Sequence, residues 1–289
     1  MEPNLVILAA GISSRMKKAA GVPLDPALVR DAALKAKSMI GVGEGGRPFL
    51  EYLLYNARRA GYQDVVIVVG EHDFSIRDHY GPRDRGNVFH GLMISYAVQL
   101  IPPSRTQPLG TADALLQGIC ARPDWEGERV TVVNSDNLYS ESALRLLRES
   151  PAECSMIDYD RSALEFPPER VEHYAVLRKA PDGSLRDIVE KPTPGKIEEC
   201  SGPDGRVGVS MNIFRLRTQL IRPYLETVPL HPVRQEKELP TAVSMMVKAH
   251  PGCLATIPRA EHVPDLSGRD DIASVQAYLL REFKDFSWS

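Results

Sequence analysis

Little in this sequence is in excess. Its 35 Lys and Arg face 38 Asp and Glu, a formal charge of −3, so it lacks the clustered basic surface that gripping nucleic acid requires. It lacks a long apolar run. The only early one, Leu5 to Ala10, is too short for a bilayer, has no basic stretch before it and ends in a glycine turn. Its four cysteines, at 120, 154, 200 and 253, form no close pair, which excludes zinc spacing and a disulfide scaffold. There is no Asn-x-Ser/Thr sequon. These absences predict reduced thiols, no membrane partner and a cytoplasmic setting. Seven histidines form no H-E-x-x-H or H-x-H cluster. Neither G-x-S-x-G nor a Walker loop occurs, which weakens hydrolase and P-loop readings.

What is present is ordinary for a folded chain: 43% hydrophobic and 25% charged residues over 289 positions, ample for a core. Short β-rich runs alternate with helical periods. Leu5–Leu8, Asp64–Val69 and Val130–Val133 read as buried strands, and Val88–Gln99 as extended. Helices are expected over 26–37, with Asp25 as cap and Pro26 at N1, and over 49–60, 111–121 (Thr111 as cap) and 140–149. This β-α-β-α order predicts a mostly parallel sheet with helices on both faces. After about Ser150 the rhythm turns mixed. Two extended runs, 173–179 and 184–190, flank Asp182-Gly183, a hairpin signal. Another extended run covers 207–214, a short strand 254–257, and helices 241–250 and 269–283. No linker or repeat divides the chain, so 1–289 is expected to be one domain. Its halves would be about 1–150 for nucleotide and about 151–289 for sugar phosphate.

Ligands in such sheets bind beyond the carboxyl ends of the strands. After the first strand comes Ala9-Ala10-Gly11-Ile12-Ser13-Ser14-Arg15, small residues that admit a ligand to the backbone, then a cation suited to phosphate. After the Val130 strand comes Asn134-Ser135-Asp136, where the carboxylate reads as a magnesium ligand or a helix cap. After the Ser184 run comes Glu190-Lys191-Pro192, an acceptor and a cation, or simply a charged strand end. Gly41 to Gly46 matches G-x-G-x-x-G, but Ser38-Met39-Ile40 before it is a poor strand, so a dinucleotide-binding dehydrogenase ranks last.

Together these pieces resemble the sugar-1-phosphate nucleotidyltransferase family, the nucleotide-sugar pyrophosphorylases. Leu8–Met16 is similar to the family's L-A-A-G-x-G-T-R-M, and Ala36-Lys37-Ser38-Met39-Ile40 with Gly46–Tyr52 to its P-K-x-L and G-K-P-x-L-E-Y. Tyr96–Gln99 with Gly110-Thr111-Ala112-Asp113-Ala114 resembles the base-reading strand and G-T-A-x-A helix start. Ser135-Asp136, Tyr174-Ala175-Val176, Val189–Pro192 and Val263–Asp271 are similar to G-D, Y-G-V, V-E-K-P and W-x-D-x-G-T-P-E-D. The departures are Ser13 and Ser14 for glycine and threonine, Ala36 for proline, Ala175 for glycine, Val263 for tryptophan, and Ser210-Met211-Asn212 for N-x-G. The gap from Arg15 to Lys37 is about twice the family's usual length.

The resemblance implies a Rossmann-like three-layer α/β/α nucleotidyltransferase fold with a mostly parallel mixed sheet. It implies a transferase joining a nucleoside triphosphate to a sugar 1-phosphate with release of pyrophosphate, UTP or dTTP being favoured by Gln99. Arg15, Lys37 and Asp136 would be catalytic, and Asp136 and Asp265 would hold Mg²⁺. Leu8, Ala9, Ala10, Gly11, Ser13, Ser14, Gln99, Gly110 and Thr111 would bind the nucleotide. Tyr174, Glu190, Lys191, Ser210 and Asn212 would bind the sugar phosphate. Alternatives are a cytidylyltransferase for a small phosphorylated alcohol such as phosphocholine, and a non-catalytic nucleotide-binding regulatory subunit. The sugar, the pathway and any homo-oligomer stay open.

Overall fold

The computed structural model describes residues 2–12, 16 and 25–288. In chain order these form β1 (Asn4–Leu8), α1 (Pro26–Leu34), α2 (Phe49–Arg59), β2 (Asp64–Gly70), α3 (Ser75–Tyr80), β3 (Asn87–Phe89), β4 (Leu92–Gln99), α4 (Thr111–Cys120), β5 (Arg129–Asn134) and α5 (Glu141–Glu149). There follow β6 (Cys154–Asp160), α6 (Pro168–Val171), β7 (Val176–Lys179), β8 (Leu185–Val189), α7 (Pro194–Glu199), β9 (Gly208–Val209), β10 (Phe214–Arg217), α8 (Thr218–Thr227), α9 (Leu239–Ala249), β11 (Leu254–Arg259) and α10 (Ile272–Glu282).

One sheet runs β3-β4-β2-β1-β5-β10-β6-β9-β7-β8, with β11 on β6. The centre, β4-β2-β1-β5, is parallel throughout. Beyond it the sheet is less parallel than expected. β10 runs antiparallel to both neighbours, and β9, β7 and β8 pair antiparallel in turn. β1 shows why the sheet is covered on both faces. Its side chains alternate, so Leu5 and Ile7 enter one core with α2 and α5 while Val6 and Leu8 enter the other with α4, α8 and α9. All five are buried strand positions, which is what a continuous Val/Ile/Leu run signals. The result is the three-layer α/β/α arrangement. Among the described residues no helix is long and apolar enough to cross a membrane, and the four cysteines are free thiols.

Several expected elements shift. The 88–99 run is a hairpin: His90 and Gly91 both take positive φ (46° and 84°) between β3 and β4. The 207–214 run splits into β9 and β10, because Asn212 turns left-handed (φ 55°) and carries residues 210–213 out of the sheet. Gly110, not Thr111, caps α4, and the Thr111 hydroxyl instead accepts from the Leu239 amide at 3.0 Å. The first helix ends at Leu34, and Lys37 stands in a separate 3-10 turn, Lys37–Met39. Ser140, expected as the first helical residue, instead caps α5 and accepts from the Ala143 amide at 3.0 Å.

Candidate active site

The carboxyl ends of β1, β5 and β4 open onto one cleft. Register fixes them at the same level: Leu8 pairs with Asn134 across β1 and β5, Leu8 also pairs with Val68, and Gly70 pairs with Gln99 across β2 and β4. The Ser135 amide then donates to the Leu8 carbonyl at 3.1 Å. Leu8, Ala9, Ala10, Gly11, Lys37, Gln99, Gly110, Thr111 and Asp136 therefore line one cavity. Among the described residues, a Cβ at Gly11 would meet nothing within 4 Å. Ser13, Ser14 and Arg15 lie outside the described residues.

Gln99, only 2% exposed, is held by its amino group: Nε2 donates to the Gly110 carbonyl at 2.9 Å and to the Asp113 carboxylate at 2.7 Å. Both amide hydrogens are so committed, and a flipped amide would set its oxygen against two acceptors. The Oε1 atom is left to serve as acceptor. Gly110 is a position only glycine fits. Its φ is 105°, and a Cβ would lie 2.6 Å from the Lys237 carbonyl oxygen. The segment 228–238 straps this corner, through Lys237 N to Leu109 O and Ala112 N to Lys237 O (2.9 Å).

A second cavity lies on the other side of the sheet's midline. Tyr174, Glu190, Lys191, Ser210 and Asn212 line it together, joined by His173, Ala175, Arg234 and Pro240. Lys191 and Asn212 both have left-handed backbones (φ 44° and 55°), and such strain collects at functional sites. The Tyr174 hydroxyl is buried beside Arg170, and burial pushes its pKa up to about 12 although the Arg170 charge opposes it. Arg234 was invisible to motif reading. Its Nη2 donates to Glu190 at 2.6 Å and its Nε pairs with Glu238 at 2.5 Å. Burial, then the Glu190 charge, raise the Glu238 carboxyl above its ordinary value.

Asp136, on the wall of the first cavity, is brought beside Asp265. Residues 137 and 265 form an isolated antiparallel bridge, and the Leu266 amide donates to the Asp136 carbonyl at 2.8 Å. This brings together two acids far apart in sequence. The Lys37 ammonium pairs with the Asp136 carboxylate. Asp265 accepts from the Ser267 hydroxyl at 2.6 Å and from Arg170 Nη2 at 2.7 Å, and Arg170 Nη1 reaches Asp271 at 2.5 Å. The Asp265 carboxyl is raised from its ordinary value, first by burial and then by the charge of Asp136, and Arg170 and Ser267 only partly offset this. A pair of hard oxygen donors that repel each other suits a divalent cation. No group of three or more His, Cys, Asp or Glu gathers among the described residues.

The Gly41–Gly46 run lines neither cavity. Gly43, Glu44 and Arg47 border a groove beside α10 instead, so the dinucleotide reading has no support.

An open sheet with this cleft at its carboxyl edge is the frame of the nucleotide-handling α/β transferases. The chain belongs to the nucleotidyl transferase family, whose model matches residues 32–256. Among curated relatives, the bifunctional protein GlmU of Symbiobacterium thermophilum is 31% identical over 157 residues, which are 53% of this chain and 26% of that protein. The chain thus spans about a quarter of that relative's length. A UTP–glucose-1-phosphate uridylyltransferase of Streptococcus pneumoniae is 25% identical over 235 residues, covering 73% of this chain and 71% of that protein. Among solved structures, UDP-glucose pyrophosphorylase from Acinetobacter baumannii superposes with a TM-score of 0.69 at 19% identity, covering 98% and 95% of the two chains, and shows the same fold.

Proposed function

We propose that this chain joins a nucleoside triphosphate to a sugar 1-phosphate, releasing pyrophosphate. One observation carries the reading. The described residues of the nucleotide set share the lining of one cavity, those of the sugar-phosphate set share the lining of another, and Asp136 on the first wall is brought beside Asp265, which supports the reading. The names of the relatives, a glucose-1-phosphate uridylyltransferase among them, support the same reaction class.

The chemistry asks for positioning and charge neutralisation more than for a protein nucleophile. An oxygen of the acceptor's phosphate forms a bond to the α-phosphorus, and the bond from that phosphorus to the bridging oxygen of pyrophosphate breaks. Ala9 to Gly11 give the base a flat backbone floor. The Gln99 Oε1 accepts from the N3–H of uracil or thymine, whereas cytosine presents a lone pair there, so the fixed amide favours UTP or dTTP. Lys37 and Arg15 meet the charge of the triphosphate. Glu190 accepts from sugar hydroxyls and Lys191 from its place on the same wall meets the phosphate. Asp136 and Asp265 would hold Mg²⁺, which neutralises charge on the reacting phosphates when bound. The setting we propose is the cytoplasm, consistent with four unpaired thiols.

The test is pyrophosphate release with Mg²⁺, crossing UTP, dTTP, CTP, ATP and GTP with a panel of sugar 1-phosphates and phosphocholine. Release confined to UTP or dTTP with one sugar 1-phosphate is expected. Release only with CTP and phosphocholine would replace the reading with the cytidylyl one. Nucleotide binding with no release would leave a regulatory subunit.

A further inference from the structure

The acceptor's phosphate must lie between the sugar cavity and the acid pair, and one basic residue without an assigned role stands there. Arg170 is on α6, a short element over the sugar side. Its guanidinium bridges Asp265 (2.7 Å) and Asp271 (2.5 Å), so it touches the acid pair directly. Its carbon also sits 4.4 Å from the centre of the Phe166 ring, and that ring is 5.7 Å from Tyr174, which lines the sugar cavity. Arg170 therefore links the acid pair to the wall of the sugar cavity through Phe166 and Tyr174.

The geometry of the fork matters. Nη1 and Nη2 each spend a hydrogen on one aspartate and each carries a second. Two carboxylates and an aromatic face fix the plane of the group, so little rotamer freedom is left to lose when a phosphate arrives. Its charge is permanent and its side chain is 27% exposed, open to a small anion but partly shielded from water.

Resting on the nucleotidyl-transfer reading, we propose that Arg170 positions the phosphate of the acceptor, orienting it for attack while Asp265 and Asp271 hold the guanidinium in place. This assigns a second cation to the acceptor's phosphate besides Lys191, from a different element.

Steady-state kinetics of Arg170→Gln and Arg170→Lys test this, with Mn²⁺ binding measured by electron paramagnetic resonance on protein without substrate. For Arg170→Gln the KM for the sugar 1-phosphate should rise roughly 10–100-fold, the scale for losing one charge-assisted contact, while the KM for the triphosphate stays within about twofold; Mn²⁺ affinity shifts as well, because Asp265 loses a bonded cation, so the split between the two KM values carries the test. Arg170→Lys, which keeps the charge and the fold but loses the fork, should raise the acceptor KM by about three- to tenfold. An unchanged acceptor KM in the lysine variant overturns the proposal. So does a change confined to Mn²⁺ affinity and kcat, which would mean that Arg170 serves only to hold Asp265. Wild-type protein that releases no pyrophosphate with any pair in the panel fails the reaction itself. In that case, binding of inorganic phosphate, weakened at least tenfold in Arg170→Gln, keeps the anion site, and unweakened binding removes it.

Discussion

Replacing Asp136 by Asn removes one charge at nearly constant size. The Lys37 ammonium loses its partner, but the repulsion of Asp265 is relieved at the same time. The two effects oppose each other in stability and not in chemistry. Asp136→Asn should therefore keep a thermal midpoint close to that of the parent while turnover falls on the order of 10²–10³, the scale for one preorganised electrostatic group. Near-parental turnover would remove Asp136 from the reaction. At this scale the sequence was informative at strand ends and just past them: Gln99 closes β4, Glu190 follows β8, and Gly11 and Asp136 lie a few residues past β1 and β5. Arg170, Arg234 and Asp113 were not legible. Their partners are far away in sequence or lie on surfaces that meet only after folding, and no local pattern marks an arginine whose aspartate is 95 residues on. Ser13 to Arg15, on which much of the resemblance rests, fall outside the described residues.

At the scale of elements, the corner between β4 and α4 carries the sharpest demand. Gly110 combines a left-handed φ with a carbonyl 2.6 Å from where a Cβ would sit. Gly110→Ala should lower stability by about 1–3 kcal/mol and displace the strap, since backbone cannot yield as a flexible side chain would. Thermal unfolding reads the first effect. The second should appear as a higher KM for the triphosphate, because the Gln99 amino group loses its fixed acceptor. The parallel centre and the hairpin at Asp182-Gly183 were readable from periodicity and turn chemistry. The element β6 was not expected. All of its residues but Asp160 are buried, among them Asp158, whose Oδ2 accepts from Lys179 and Arg206 (2.7 Å each) from other parts of the chain. Likewise α8 holds Pro223 inside it, which disguises a helix as a turn.

Across the whole molecule, the chain just before β1 is tied to strands made much later. The Arg215 side chain on β10 is fully buried and pairs with Glu2 at 2.9 Å, which also binds Arg129 at 2.9 Å. Burial pushes the Glu2 carboxyl up, but the Arg129 hydrogen bond and the charges of Arg129 and Arg215 outweigh it and hold the pKa at about 2, against an ordinary 4.5. A depressed pKa stabilises above the unfolded value and that contribution fades as pH falls through the folded one. Glu2→Gln should thus be less stable than the parent by on the order of 1–3 kcal/mol at pH 7, with the difference shrinking below pH 4.5 and gone near pH 2. Denaturant melts across that range decide it, and a difference that does not depend on pH would show the carboxylate's charge to be irrelevant. Strand order was beyond sequence reading for the same reason that Glu2 was: which late strand fills a gap between early ones depends on long-range packing rather than on local pattern.

That late strand also sets a schedule. β10 lies between β5 and β6, although β5 is made long before it. While the chain emerges from the ribosome, β5 has β1 on one side and nothing on the other until synthesis has passed Arg217. A newborn chain of this kind carries a bare, apolar strand edge while residues 135–217 are made, an invitation to pair with a neighbouring nascent chain. Slowing translation should lengthen that exposure, and chaperones that shield strand edges should raise the yield of folded protein more than those that act after release.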